Sequence, residues 1–204
     1  IYKRDPSFPI AVACDPAFNF VYEANIRYLH HLGEVTYFSP LADTSLPDAG
    51  FVYLPGGYPE LYLAALSANR LMLQSIRRYV ENGGKLLAEC GGMMYLCDEI
   101  RDKNGDVYPM AGVLHQSATM ENMKLRLGYR TLLYNDARLK GHEFHYSRLV
   151  EQQDPLPSCA VAYTAKGVET DTPLYHYKNV WAGYTHLYWA DPAGNDWFTK
   201  FIIK

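Results

Sequence analysis

No apolar run in the 204 residues reaches the roughly 20 needed for a membrane-crossing helix, and no charged-then-apolar leader opens the chain. No membrane association is expected. Basic residues do not cluster and the formal charge is only −3, so no nucleic-acid partner is expected either. The four cysteines, Cys14, Cys90, Cys97 and Cys159, never fall at C-x-x-C spacing, which argues against a zinc site or a redox pair. A core of this size needs no disulfide staples, and a reduced, cytoplasmic setting is expected. No G-x-x-x-x-G-K-[ST] run is present, so the chain has no phosphate-cradling P-loop. Internal repeats, low-complexity tracts and linkers are also missing. What remains is 49% hydrophobic and 20% charged, the balance of a soluble globular protein, and its length suits one sizeable domain over residues 1–204. The start at Ile1-Tyr2-Lys3-Arg4-Asp5-Pro6, without an initiator Met, suggests a fragment or a processed chain.

The pattern of elements points to an α/β fold. Pro9 to Cys14, Val35 to Phe38, Gly50 to Leu54 and Lys85 to Glu89 are short apolar runs ended by Pro or Gly, as buried strands are. Between them, Phe20 to Leu32 has helical spacing closed by Gly33. A longer helical stretch breaks near Ser67 and stops at Asn82-Gly83-Gly84. Such βαβ alternation predicts a doubly wound, mostly parallel sheet with helices on both faces. After residue 106 the texture changes. Leu125 to Tyr134, Gly141 to Ser147, Ala160 to Thr164 and Val180 to Tyr184 read as antiparallel strands added in the C-terminal half, and Asp191-Pro192 introduces a last helix.

Cys90 is the most informative residue. It follows a buried strand and precedes Gly91-Gly92 and a helical run from Met93, the pattern of a nucleophile on a sharp strand-to-helix turn. There a helix N-terminus would favour the thiolate. Cys97, two helical turns on, is expected in the core. Gly56-Gly57 follows the neighbouring strand, and ligands bind at strand carboxyl ends in open α/β sheets. Acyl transfer needs a nucleophile and backbone donors for the oxyanion. Gly91 N–H can be one donor and an N–H from Gly57 or Tyr58 the other.

A thiol nucleophile also wants a base. Of the seven histidines, His30 and His31 lie in the first helix, and His115 and His176 fall in expected loops. His142 and His145 flank Glu143 in a strand whose alternation puts Glu143 and His145 on one face and His142 on the other. His142-Glu143-Phe144-His145 is one residue short of a zinc-binding H-E-x-x-H helix, so no metal is expected. His186 ends a strand before the last helix. Position alone leaves His186 and the His142/His145 pair equally open.

Several runs together resemble a known family. They are Phe18-Asn19-Phe20, Ser39-Pro40-Leu41, Gly56-Gly57-Tyr58-Pro59-Glu60, Leu66-Ser67-Ala68-Asn69, Ala88 to Leu96 around Cys90, and Gly141-His142-Glu143-Phe144-His145-Tyr146-Ser147. In order and spacing, along nearly the whole chain, they resemble the C-terminal domain of cobyrinic acid a,c-diamide synthases, a triad-type (class I) glutamine amidotransferase with a flavodoxin-like sheet. The resemblance implies that Cys90 attacks the side-chain amide of L-glutamine, forming a thioester and releasing ammonia, with His186 as base. Tyr58, His142, Glu143 and His145 are further candidates for orienting or substrate binding. Class I enzymes in general carry a Glu two residues after the histidine. Tyr188 stands there, as is common in the cobyrinic acid group, so the resemblance implies a Cys-His dyad. Pro55 replaces a usual glycine and removes one N–H. The resemblance further implies an N-terminal ATP-binding domain, acting with magnesium, that amidates a corrinoid. No cofactor is expected in this chain itself. Two other readings stay open: a cysteine hydrolase or peptidase on the same scaffold, and a non-catalytic partner-binding module.

Overall fold

The computed structural model describes residues 7–203; the Ile1–Pro6 start read above as the sign of a fragment lies outside them. The first half alternates as its apolar runs dictate. Strand β1 (Pro9–Ala13), helix α1 (Glu23–Leu32), β2 (Glu34–Phe38) and β3 (Phe51–Leu54) come first. A 3-10 turn at Pro59–Leu61, α2 (Leu63–Ala68), α3 (Arg70–Glu81), β4 (Lys85–Glu89) and α4 (Gly91–Leu96) follow. Asn69 separates α2 from α3 and caps the latter, its side-chain oxygen accepting the Met72 N–H. Met72, Leu73, Ile76 and Val80 make the buried stripe of α3, at the spacing of a helix lying on a sheet. The second half is strand-rich: β5 (Glu99–Arg101), β6 (Val107–Pro109), β7 (Ser117–Thr119), β8 (Arg126–Tyr134), β9 (Ala137–His145), β10 (Arg148–Leu149), β11 (Val161–Thr164) and β12 (Glu169–Thr170). It continues with β13 (Leu174–Tyr177), β14 (Val180–Gly183) and β15 (Thr185–Leu187), then α5 (Pro192–Ile203).

Three sheets result. The central one has the order β13-β14-β4-β3-β1-β2. All its pairings are parallel except β13 with β14 at the edge. Setting β13 aside, this is the doubly wound order of flavodoxin-like folds, with helices on both faces. On one face Met72, Ile76 and Met93 pack over Val52, Leu54 and Leu86. On the other Leu29, Trp189 and Phe198 pack over Ile10, Val12 and Tyr53. Every residue of β3 is buried, as expected of a central parallel strand covered on both sides. A second sheet, β12-β11-β8-β9-β15, is antiparallel, and a third, β10-β7-β5-β6, is small.

The structure departs from the sequence reading in four places. Phe20 to Tyr22 are extended rather than helical, because the Phe20 N–H bonds Gly56 O at 3.0 Å and bridges to the loop after β3. Val180 to Gly183 joins the central sheet parallel to β4 instead of the antiparallel array. His176 lies in β13, its ring stacked 4.0 Å from that of Trp181, and not in a loop. Helix α4 begins at Gly91 and lasts six residues.

Candidate active site

The site grows from the end of β4. Cys90 has φ 49° and ψ −108°, a conformation that a side-chain-bearing residue adopts only under constraint. The constraint is visible on both sides: Cys90 N–H donates to Gly183 O on β14 at 2.7 Å, and Cys90 O accepts the Met94 N–H at 3.0 Å, starting α4. The glycines after it are required by close approach. A Cβ on Gly92 would stand 2.1 Å from Leu54 O, and one on Gly91 would stand 2.7 Å from Pro59 Cδ. The elbow read from the sequence is present.

Cys90 and His186 line one cavity of about 20 Å³ with Phe20, Gly57, Tyr58 and Phe144, room for about a single water. Strand β15 carries His186, which is 3% exposed. Its imidazole lies against Gly56, where a Cβ would fall 2.1 Å from Cε1 and 2.8 Å from Nδ1, and the Phe20 ring stands 4.3 Å away. Nδ1 is buried with no hydrogen-bond partner. The Cys90 thiol donates to Phe144 O at 3.6 Å. The amides of Gly91 and Gly57 adjoin, since a Cβ on Gly91 would lie 3.2 Å from Gly57 N. The two candidate oxyanion donors are therefore neighbours, and Gly57 lines the same cavity as Cys90.

Burial dominates the electrostatics. It pushes the Cys90 thiol up to about 12, with Glu60 adding to the shift and the Gly91 N–H opposing it. Burial also pushes His186 down to about 4, helped by His142 and His145. Both shifts favour the neutral thiol and the neutral imidazole, against the thiolate that a helix N-terminus would favour.

The other candidates fall into two places. Tyr58, half exposed, stands at the cavity wall. His142 faces away from Glu143 and pairs across from His186 in the β9–β15 register. Glu143 and His145 share the opposite, buried face, as the alternation requires. Among the described residues neither makes a hydrogen bond to His186, although His145 lies close enough to act on its charge. Glu143 takes hydrogen bonds from Arg130 Nε at 2.6 Å and Thr172 Oγ1 at 2.8 Å, and its other oxygen meets His145 Nε2 at 2.7 Å. Burial opposes its ionisation most, yet His145, Thr172 and Arg130 together hold its carboxyl below the usual range. His145 Nδ1 meets Ser147 O, so both ring nitrogens are engaged. Tyr188, in the position of the general class I Glu, turns to solvent beside the Tyr22 ring. Among the described residues no group of three or more His, Cys, Asp or Glu is placed to hold a metal ion.

Residues 9–194 match the model of the CobB/CobQ-like glutamine amidotransferase domain. The chain belongs to this family. It is 40% identical over 185 residues to hydrogenobyrinate a,c-diamide synthase of Pseudomonas aeruginosa, covering 88% of this chain and 41% of that protein. It is 41% identical over 185 residues to cobyrinate a,c-diamide synthase of Fusobacterium nucleatum, with the same coverage, 88% and 41%. The amidotransferase domain thus spans less than half the length of these curated relatives. Among solved structures, a glutamine amidotransferase aligns over 95% of this chain and 98% of its own with TM-score 0.59 and 14% identity. PurLQS from Thermotoga maritima aligns over 88% and 87% with TM-score 0.58 and 17% identity. At such identities these two likenesses concern the fold.

Sequence reasoning missed several residues around the amidotransferase site. The sequence reading puts Phe20 in a helix and Gly56 in a loop that offers an oxyanion donor, and it foresees for neither the contact with the imidazole of His186. Glu60 stands close enough to raise the thiol. Glu89 is 1% exposed, and its one available signal is a carboxylate that ends the buried run Leu86-Leu87-Ala88.

Proposed function

We propose that this chain is the glutaminase half of a glutamine-dependent a,c-diamide synthase acting on cobyrinic or hydrogenobyrinic acid. The observation that carries the reading is the strained Cys90 turn sharing one small cavity with His186 and the paired Gly57 and Gly91 amides. In this reading His186 accepts the thiol proton as sulfur attacks the amide carbon of glutamine. The Gly91 and Gly57 N–H groups stabilise the oxyanion. Collapse expels ammonia, which takes its proton from His186, and leaves a γ-glutamyl thioester; water then cleaves it to glutamate and regenerates the thiol. The ammonia serves a separate domain that activates the corrinoid a and c carboxylates with ATP and magnesium, a step for which this chain has no phosphate-binding loop. The names of its relatives support that assignment. The free state of all four cysteines supports a cytoplasmic setting. Glutamate release from glutamine tests the reading. It is expected from the chain, alone or joined to its synthase domain, and lost in Cys90→Ser and His186→Ala. Retained glutaminase in Cys90→Ser, or peptide cleavage without glutaminase, would overturn it.

A further inference from the structure

After Gly183 the chain leaves the central sheet, and β15 pairs with β9 alone among the described residues, so one of its edges has no strand neighbour there. On the β9 side, Tyr188 N–H donates to Lys140 O at 2.8 Å. The N–H and C=O of Leu187 therefore point the other way, as alternation in a strand demands. Two buried side chains meet them. Glu89 Oε1 accepts the Leu187 N–H at 3.1 Å, and Asn25 Nδ2 donates to Leu187 O at 2.7 Å. Asn25 Oδ1 also accepts the Trp189 N–H at 2.9 Å, so its amide completes the strand edge as a neighbouring backbone would. The second oxygen of Glu89 accepts from the Tyr53 hydroxyl at 2.6 Å, which aims the carboxyl. Asn25 is fully buried and Glu89 nearly so.

We propose that Glu89, seconded by Asn25, is the positioning residue of the Cys-His pair, fixing the backbone of His186 relative to Cys90. Glu89 adjoins the nucleophile in the chain and holds the amide that directly follows His186, so a single side chain ties the two reacting groups together. In a triad a carboxylate orients the imidazole through Nδ1. Here the Cε1–Nδ1 edge faces the Gly56 backbone at a distance that admits no further group, and Nδ1 has no partner. Orientation is supplied one bond away, through the main chain. This inference rests on the reading of Cys90 and His186 as nucleophile and base.

The test compares Glu89→Ala, Glu89→Gln and Asn25→Ala in glutaminase kinetics, with urea unfolding as the check on folding. Glutamine at position 89 keeps an oxygen for Leu187 N–H and an amide for the Tyr53 hydroxyl. Loss of the clamp is expected to lower kcat by about 100-fold, the scale of a 1 Å misplacement, with KM for glutamine changed less than about threefold. Glu89→Gln is expected to retain kcat within about fivefold, and Asn25→Ala to fall between. Should Glu89→Ala not fold, Glu89→Met fills the space without an acceptor and serves the same comparison. Equal loss of kcat in the Ala and Gln variants, a loss confined to KM, or an unchanged kcat in folded Glu89→Ala or Glu89→Met would overturn the proposal. Cys90→Ser and His186→Ala run alongside. If these abolish glutaminase while the position-89 variants do not, only the clamp falls; if they leave it intact, the dyad reading itself falls.

Discussion

Replacing Gly56 with alanine tests how tightly the site is built. The new methyl carbon would fall 2.1 Å from His186 Cε1 and 2.8 Å from Nδ1. Ordinary carbon contacts are about 3.5 to 4.0 Å, so ring and loop must separate by more than 1 Å. Neither has an easy retreat. The ring lies against Phe20, and its backbone is tied on both edges of β15. The loop is held by the Phe20 N–H bond to Gly56 O. Overpacking of this kind costs about 1 to 3 kcal/mol of stability. The displaced imidazole should lower glutaminase kcat by about 100-fold. Gly167→Ala is the control, because Gly167 has φ +76° and nothing within 4 Å of its would-be Cβ. Its effect is confined to backbone strain far from the site, so stability falls and kcat does not. Glutamate release at saturating glutamine and urea midpoints on the three proteins decide the matter. A Gly56→Ala enzyme with kcat within threefold of the parent would refute the claim that this contact sets the position of the base.

Three further outcomes are expected. Burial holds the Glu89 carboxyl protonated up to about 8 in the folded chain, against 4.5 ordinarily. The folded state then binds the extra proton between those values, so the parent should lose stability as pH rises from about 4.5 to 8, while Glu89→Gln should lack that part of the slope. A parent-minus-variant difference in urea stability that does not change between pH 5 and 8.5 would contradict this. Because the Cys90 thiol is pushed up to about 12, its alkylation by iodoacetamide should keep accelerating beyond pH 9. A plateau below pH 8 would indicate a resting thiolate–imidazolium pair instead. Finally, Glu143→Ala strands the nearly buried Arg130 guanidinium and frees His145 from its partner, and should cost about 3 to 5 kcal/mol by urea unfolding. A loss under about 1 kcal/mol would mean that the network is not what holds β8 and β9 in register.

What was legible in the sequence was local. Phe51 to Leu54 and Lys85 to Glu89 announce buried strands because all, or all but one, of their residues are covered. The Cys90 elbow is legible because its glycines follow from close approach to Leu54 and Pro59. What failed was non-local. Val180 to Gly183 and Gly141 to His145 have the same strand texture. One enters the central sheet and the other does not, because β4 is available to pair with the first. Phe20 has helical spacing with Ala24, but its N–H is taken by a loop 36 positions away in the chain, between residues 20 and 56. Nor could spacing separate His145 from His186. Their difference is that His145 spends both ring nitrogens on Ser147 and Glu143, partners within two residues, whereas Nδ1 of His186 is left free of any hydrogen bond.

That difference bears on the alternative of a non-catalytic partner-binding module, in which Tyr188 would stand where an orienting carboxylate had been lost. If a lost carboxylate had once oriented His186, its removal should leave space or a loosened ring beside Nδ1. The Gly56 backbone occupies that space instead, at a separation only glycine permits. Tyr188 meanwhile contributes its N–H to the β9 pairing that holds the same strand. A strained cysteine also costs about 1 to 3 kcal/mol that a purely partner-binding surface has no reason to retain. Gly91 and Gly92 remain where any side chain would collide with Pro59 or Leu54. Strain, glycine contacts and the Glu89–Asn25 clamp all act on the relative placement of one sulfur and one imidazole. A binding module would need none of them; the proposed Cys90–His186 pair, with no carboxylate on Nδ1, uses them all.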